Sequence, residues 1–157
     1  MRILIPLILG LLLVFGTCPV AFASASLPFN GSGSGTFVDT SSTTVAISGT
    51  GHYQHLGLTT LAFTSTITGL SNCGGFTAME QDNFVAANGD TLVLSVHDVF
   101  CSTSNPFVFV FTASFTIVGG TGRFTDASGS GSIMGSITFT SATSGTFSGA
   151  TSGTISY

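Results

Sequence analysis

Few side chains in this 157-residue sequence have reactive chemistry, and they fall at spacings that can be weighed one by one. Glu80 and His97 stand on two consecutive apolar segments, and Asp98 follows His97 directly. A carboxylate facing an imidazole is half of a general acid–base pair, since the two groups titrate on either side of mild acidity. The same two residues across a surface hairpin make an ordinary ion pair. Arg123 is the one basic side chain after Arg2, and it lies in a glycine-rich turn with Asp126 close by in sequence. His52 and His55 form an H-x-x-H, but positions i and i+3 of a strand point to opposite faces, so they are no ready metal pair. The blander reading is two rim histidines, with His55 capping a turn. No nucleophile elbow, phosphate loop, dinucleotide fingerprint or zinc spacing appears. No cofactor and no metal is expected, and the candidate catalytic groups reduce to Asp98, Glu80, His97 and Arg123.

The elements that must position these groups are strands. Segments 76–86 and 90–100 flank Asn88-Gly89, the strongest short hairpin signal. A two-residue turn there sets Ala87 against Asp90. Glu80 then lies across from His97 on one face. Met79 lies across from Asp98 on the other, beside Leu94, Val96 and Phe100. Asp98 thereby has the parity of the apolar side, where its carboxyl would titrate high or pair with Arg123, but the preferred reading is a strand-end residue at the solvent-exposed rim. The same register sets Phe76 against Cys101 and leaves Cys73 just past the hairpin base. The two cysteines are expected to form a disulfide.

From Phe107 to Ile117 the odd positions are Phe107, Phe109, Phe111, Ala113, Phe115 and Ile117, an unbroken apolar row. Period-two alternation of this kind marks a strand with one dry face. Further strands are predicted at about 35–39, 43–53, 57–68, 130–140 and 145–157, each bounded by Gly, Ser, Asn or Asp. Eight sequential strands with short connections predict an all-β fold, an eight-stranded antiparallel up-and-down barrel. A β-sandwich is the alternative. Inward parity gathers Phe37, Tyr53, Phe63, Phe107, Phe109, Phe111, Phe115, Phe139 and Phe147. Such a lining either fills the lumen or leaves room for one small apolar ligand.

The N-terminus reads as an export signal. Arg2 precedes an apolar run to Val14, and Ala21-Phe22-Ala23 offers a small-residue cleavage site. Residues 1–23 are expected as signal peptide, 24–34 as a flexible leader rich in Gly and Ser, and 35–157 as the barrel. A membrane anchor is the rival reading of the apolar run. Removing 23 of 157 residues leaves 134, with one Arg against six acids, a charge of −5, and no lysine. A chain so poor in basic groups is not built for nucleic acid or an anionic membrane surface. The expected location is secreted, outside the cell.

The segment Val118-Gly119-Gly120-Thr121-Gly122-Arg123-Phe124, followed by Ala127 and Gly129, resembles the G-G-T-G-x-F segment of allene oxide cyclase and dirigent barrels. It is most similar to the secreted bacterial proteins related to them, which also carry His55-Leu56-Gly57 and Ala86 to Asp90 as short segments. The resemblance implies the eight-stranded barrel, possession of a small hydrophobic substrate or ligand, and dimers or trimers. It implies either cyclisation of a lipid epoxide or guidance of phenoxy-radical coupling, but the matched segments are turns and strands and carry no catalytic residues across. The sequence reading is therefore a non-catalytic binder of a small apolar molecule or an extracellular structural component. An isomerase or cyclase is the alternative.

Overall fold

The computed structural model describes residues 25–157, and the expected signal peptide, with Cys18, lies outside them. The strands are β1 (Leu27–Asp39), β2 (Thr44–Tyr53), β3 (Gly57–Leu70), β4 (Phe76–Ala86), β5 (Thr91–Ser102), β6 (Val108–Gly120), β7 (Ser128–Phe139) and β8 (Ser144–Ser156). Each pairs antiparallel with its neighbour in sequence. β1 also pairs with β8, so the sheet closes into an eight-stranded barrel. Closure leaves no free sheet edge, which is the physical reason a chain of period-two segments settles in this form. Among the described residues the one helical turn is Gly122–Phe124, between β6 and β7.

Two details differ from the sequence expectation. β1 starts at Leu27, so most of the segment expected as flexible leader is strand: Gly31 pairs with Tyr53 on one side and Thr151 on the other. A run of Gly and Ser buries little by itself, and here it is held by ladder hydrogen bonds to two neighbours. The second difference is the β4–β5 turn. Gly89 N–H donates to Ala86 O, Ala86 N–H donates to Asp90 O, and Gly89 alone of the turn residues has positive φ, +88°. This is a three-residue turn closed by a glycine bulge, rather than the two-residue turn in which both central residues need positive φ. The register moves by one: Phe84 faces Leu92, Glu80 faces Val96, and Met79 faces His97.

The interior has two unlike halves. Toward the β2–β3, β4–β5 and β6–β7 turns it is packed solid by Phe29, Tyr53, Phe84, Leu92, Leu94, Phe115, Phe124 and Ile155, all buried. Toward the β1–β2, β3–β4, β5–β6 and β7–β8 connections the inward rings are only half-buried, among them Phe76, Phe100, Phe109, Phe111 and Phe139. Glycine recurs at inward positions of β1, β2, β7 and β8, where it makes room for aromatic rings of both halves. A Cβ at Gly135 would stand 2.7 Å from the Phe111 ring, and one at Gly131 the same distance from Phe115.

The candidate functional site in the barrel lumen

Between the packed half and the ring of half-buried aromatics lies a cavity of about 150 Å³. Its walls are apolar: Phe37 from β1, Ile47 from β2, Phe63 from β3, Phe111 from β6, Phe139 from β7 and Phe147 from β8 are among them. Phe100 stacks on Phe76 with ring centroids 4.4 Å apart and meets Phe111 at 5.3 Å, so one side of the wall is a continuous aromatic surface. The cavity has the dimensions and character of a site for a molecule about the size of benzene.

Besides Asp39 near the mouth, three carboxyl groups cluster in this apolar cup. Glu80 and Asp82 come from β4 and Asp98 from β5. Asp82 and Asp98 are each only 3% exposed. Glu80 pairs across the strands with Ser65 and shares the inward face with Asp82 and Asp98. Carboxyls crowded together out of water disfavour charge on one another. Burial raises all three above the usual carboxylate range: Glu80 is raised, Asp82 well raised with Glu80 and Asp98 repelling its charge, and Asp98 pushed up to about 8. Tyr53 joins them from β2. Burial, and then the charge of Asp82, raises its hydroxyl to about 12. Two oxygens of the cluster, Asp82 Oδ1 and Asp98 Oδ2, have no hydrogen-bond partner.

The one-residue shift of the hairpin is what assembles this cluster. In the expected register Glu80 belonged with His97. In the structure all even positions of β4 and β5 face inward, so Glu80 joins Asp98, while His97 and Met79 are exposed outside. The Glu80–His97 pair therefore does not exist. Asp98 is buried beside Phe100, which overturns the rim position expected for it: β5 runs on to Ser102, so Asp98 is not at the strand end and its inward parity decides. Arg123 is remote from the cavity. It ion-pairs with Asp90 at 3.7 Å rather than with Asp126, donates to the carbonyl of His55, and lies 4.8 Å over the Phe124 ring.

Of the expected lining residues, Phe37, Tyr53, Phe63, Phe111, Phe139 and Phe147 face the cavity. Phe109 packs beside Phe76 and Phe139 at the mouth, and Phe115 lies in the packed half against Phe29. Phe107 precedes β6 and is 61% exposed, because the strand starts one residue later than the apolar row suggests. The reading from sequence missed Asp82, Ser65, Phe76 and Phe100. For Phe76 and Asp82 the signal was present in the even row of β4, Phe76-Ala78-Glu80-Asp82-Phe84-Ala86, which is apolar at four of its six positions.

His52 is exposed, while His55 sits in the β2–β3 turn with φ +68°. One ring nitrogen of His55 contacts the Pro28 carbonyl at 2.8 Å and the other the Tyr157 hydroxyl at 3.2 Å, tying both ends of the barrel sequence to this turn. Among the described residues no three His, Cys, Asp or Glu converge closely enough to hold a metal ion. Cys73 and Cys101 form a disulfide, Cα atoms 5.0 Å apart, beside the mouth.

The three segments that carry the family resemblance meet at the packed end. Asp90 holds Arg123 and is itself held by Asn88. Thr121 bonds Thr91, and Leu56 and Phe124 are buried in the same core cluster. No family model, curated protein or solved structure matches this chain.

Proposed function

We propose that this protein is an exported barrel of the allene oxide cyclase/dirigent type that binds a small apolar molecule in its lumen. The observation that carries the reading is the aromatic cavity itself, closed at one end and bounded by half-buried rings at the other. A barrel serving only as a structural component has no need to leave such a space, since filling it with side chains would add packing and burial. The disulfide is compatible with an extracellular location, where it would persist.

Native mass spectrometry of the mature protein from its own culture medium tests this. An added mass of small-molecule size, lost on denaturation, is the expected result. A bare protein that takes up no small aromatic compound would overturn the reading.

A second reading, an isomerase or cyclase, is favoured by the convergence of Glu80, Asp82, Asp98 and Tyr53 in the same cavity. A neutral carboxyl held in an apolar site is a competent general acid near neutral pH. The released compound separates the two. Returned to the emptied protein, it is recovered unchanged from a binder. From an isomerase it is recovered as a different compound of equal mass.

A further inference from the structure

We infer that the lumen recognises an organic cation, a small apolar amine whose ammonium group reaches Asp82 and Asp98 while its body rests on the aromatic wall. This rests on the binding function proposed above and specifies its ligand class. The first support is the sign of the site. The titratable groups facing the lumen are Asp39 from β1 near the mouth, Tyr53 from β2, Glu80 and Asp82 from β4, and Asp98 from β5. The lining residues from β3, β6, β7 and β8 are apolar, Gly, Ser or Thr. An anionic ligand would meet acids on several sides and no base. A neutral hydrocarbon would leave the polar floor unanswered.

The second support is the pair of unpartnered oxygens. Asp82 Oδ1 and Asp98 Oδ2 are buried polar atoms without a hydrogen-bond partner, and a buried polar atom left unsatisfied is costly. An ammonium group brings three donors. The third is the wall, whose apolar rings Phe76, Phe100 and Phe111 receive the body of the amine while its ammonium group meets the carboxyls. Among the described residues no group of three His, Cys, Asp or Glu is placed to hold a bare metal ion.

The proton balance follows from the geometry. In the empty lumen Asp98 keeps its proton at neutral pH, since burial and the neighbouring Glu80 disfavour its charge. When an ammonium ion enters, a carboxyl loses its proton to solvent and the carboxylate accepts N–H hydrogen bonds. One proton is released per cation bound, and no covalent bond between heavy atoms changes.

The test uses phenethylamine as cation, 2-phenylethanol as its neutral counterpart and phenylacetate as the anion. Isothermal titration of the mature protein is run at about pH 7, where an alkylamine is protonated, in two buffers of different ionisation enthalpy. Phenethylamine is expected to bind at least about tenfold tighter than 2-phenylethanol, the ratio one charge-assisted hydrogen bond supplies, with phenylacetate weakest. The two buffers should report release of a proton. In the double variant Asp82→Asn/Asp98→Asn the amine preference disappears while 2-phenylethanol still binds. Should that variant fail to fold, the three-probe comparison and the proton count on the natural protein decide alone. If 2-phenylethanol binds as tightly as the amine and no proton is released, the cation inference is wrong and the apolar-binder reading survives. If none of the three binds, both are wrong.

Discussion

Asp98 sits where its carboxyl has little water to ionise into, and this has a consequence for stability. In the unfolded chain an Asp titrates near ~4, and in the folded barrel Asp98 holds its proton up to about 8. Between those values the folded state binds more protons than the unfolded state, so stability falls as pH rises, by up to about 1.4 kcal/mol per pH unit for one such group. Asp82 and Glu80 are shifted in the same direction. Chemical denaturation across this range should show the barrel most stable in mild acid. Asp98→Asn should flatten the profile and be more stable than the natural protein at its alkaline end. A profile that rises with pH would mean that the cluster is ionised and paired. At this scale the sequence was legible only in part for Asp98: its parity placed it among apolar neighbours, but the strand end was expected to carry it to the rim. It was misleading for Glu80, because which face a strand residue occupies depends on a turn several residues away.

That turn belongs to the scale of the element. Asn88-Gly89 announces a hairpin but not its length. Gly89 accepts positive φ in both the two-residue and the three-residue form, and the choice between them moves every side chain of β4 to the opposite face. In the structure nothing lies within 4 Å of a Cβ built at Gly89, so Gly89→Ala tests backbone conformation alone. It is expected to cost about 1–2 kcal/mol in urea denaturation, the penalty of a left-handed non-glycine residue. The other end of the same hairpin is fixed covalently. Cys73 and Cys101 are 28 residues apart in sequence, so removing both should lower stability by roughly 3–4 kcal/mol on the chain-entropy account. The urea midpoints of the double Ser variant and the natural protein measure it. The expectation of a disulfide did not depend on the register to one residue, since Cys73 lies in the connection before β4, where the backbone is free to bend.

Across the whole molecule the division of labour is between a packed end and an open one. Phe124 reaches the packed end through the helical turn after β6 and is fully buried there, away from the cavity. Phe124→Ala should therefore destabilise the barrel by about 3–5 kcal/mol, seen as a lowered thermal midpoint. The affinity for a lumen ligand should stay unchanged. Loss of binding without loss of stability would show that the two ends are not independent. The same division explains why the recognisable segments, His55-Leu56-Gly57, Ala86 to Asp90 and Gly119 to Phe124, speak for a fold and not for a reaction. They build the closed end, while the carboxyls stand in the other half of the lumen.

By itself the sequence determined an all-β chain of eight strands in order, the pairing of Cys73 with Cys101 and the inward face of β6, and it favoured the closed barrel over a β-sandwich. Each follows from local rules: alternation with period two, glycine and polar residues at reversals, and the demand that no strand be left as an edge. Only the tertiary structure decided that Leu27–Ser34 is strand, since those residues are held by two neighbouring strands and not by their own burial. Only it decided that Glu80 and Asp82 join Asp98 inside. A single residue of turn length leaves almost no mark on the local sequence, yet it is amplified along the strand by the strict two-residue period of the pleat. The chemistry of the lumen hangs on that one residue.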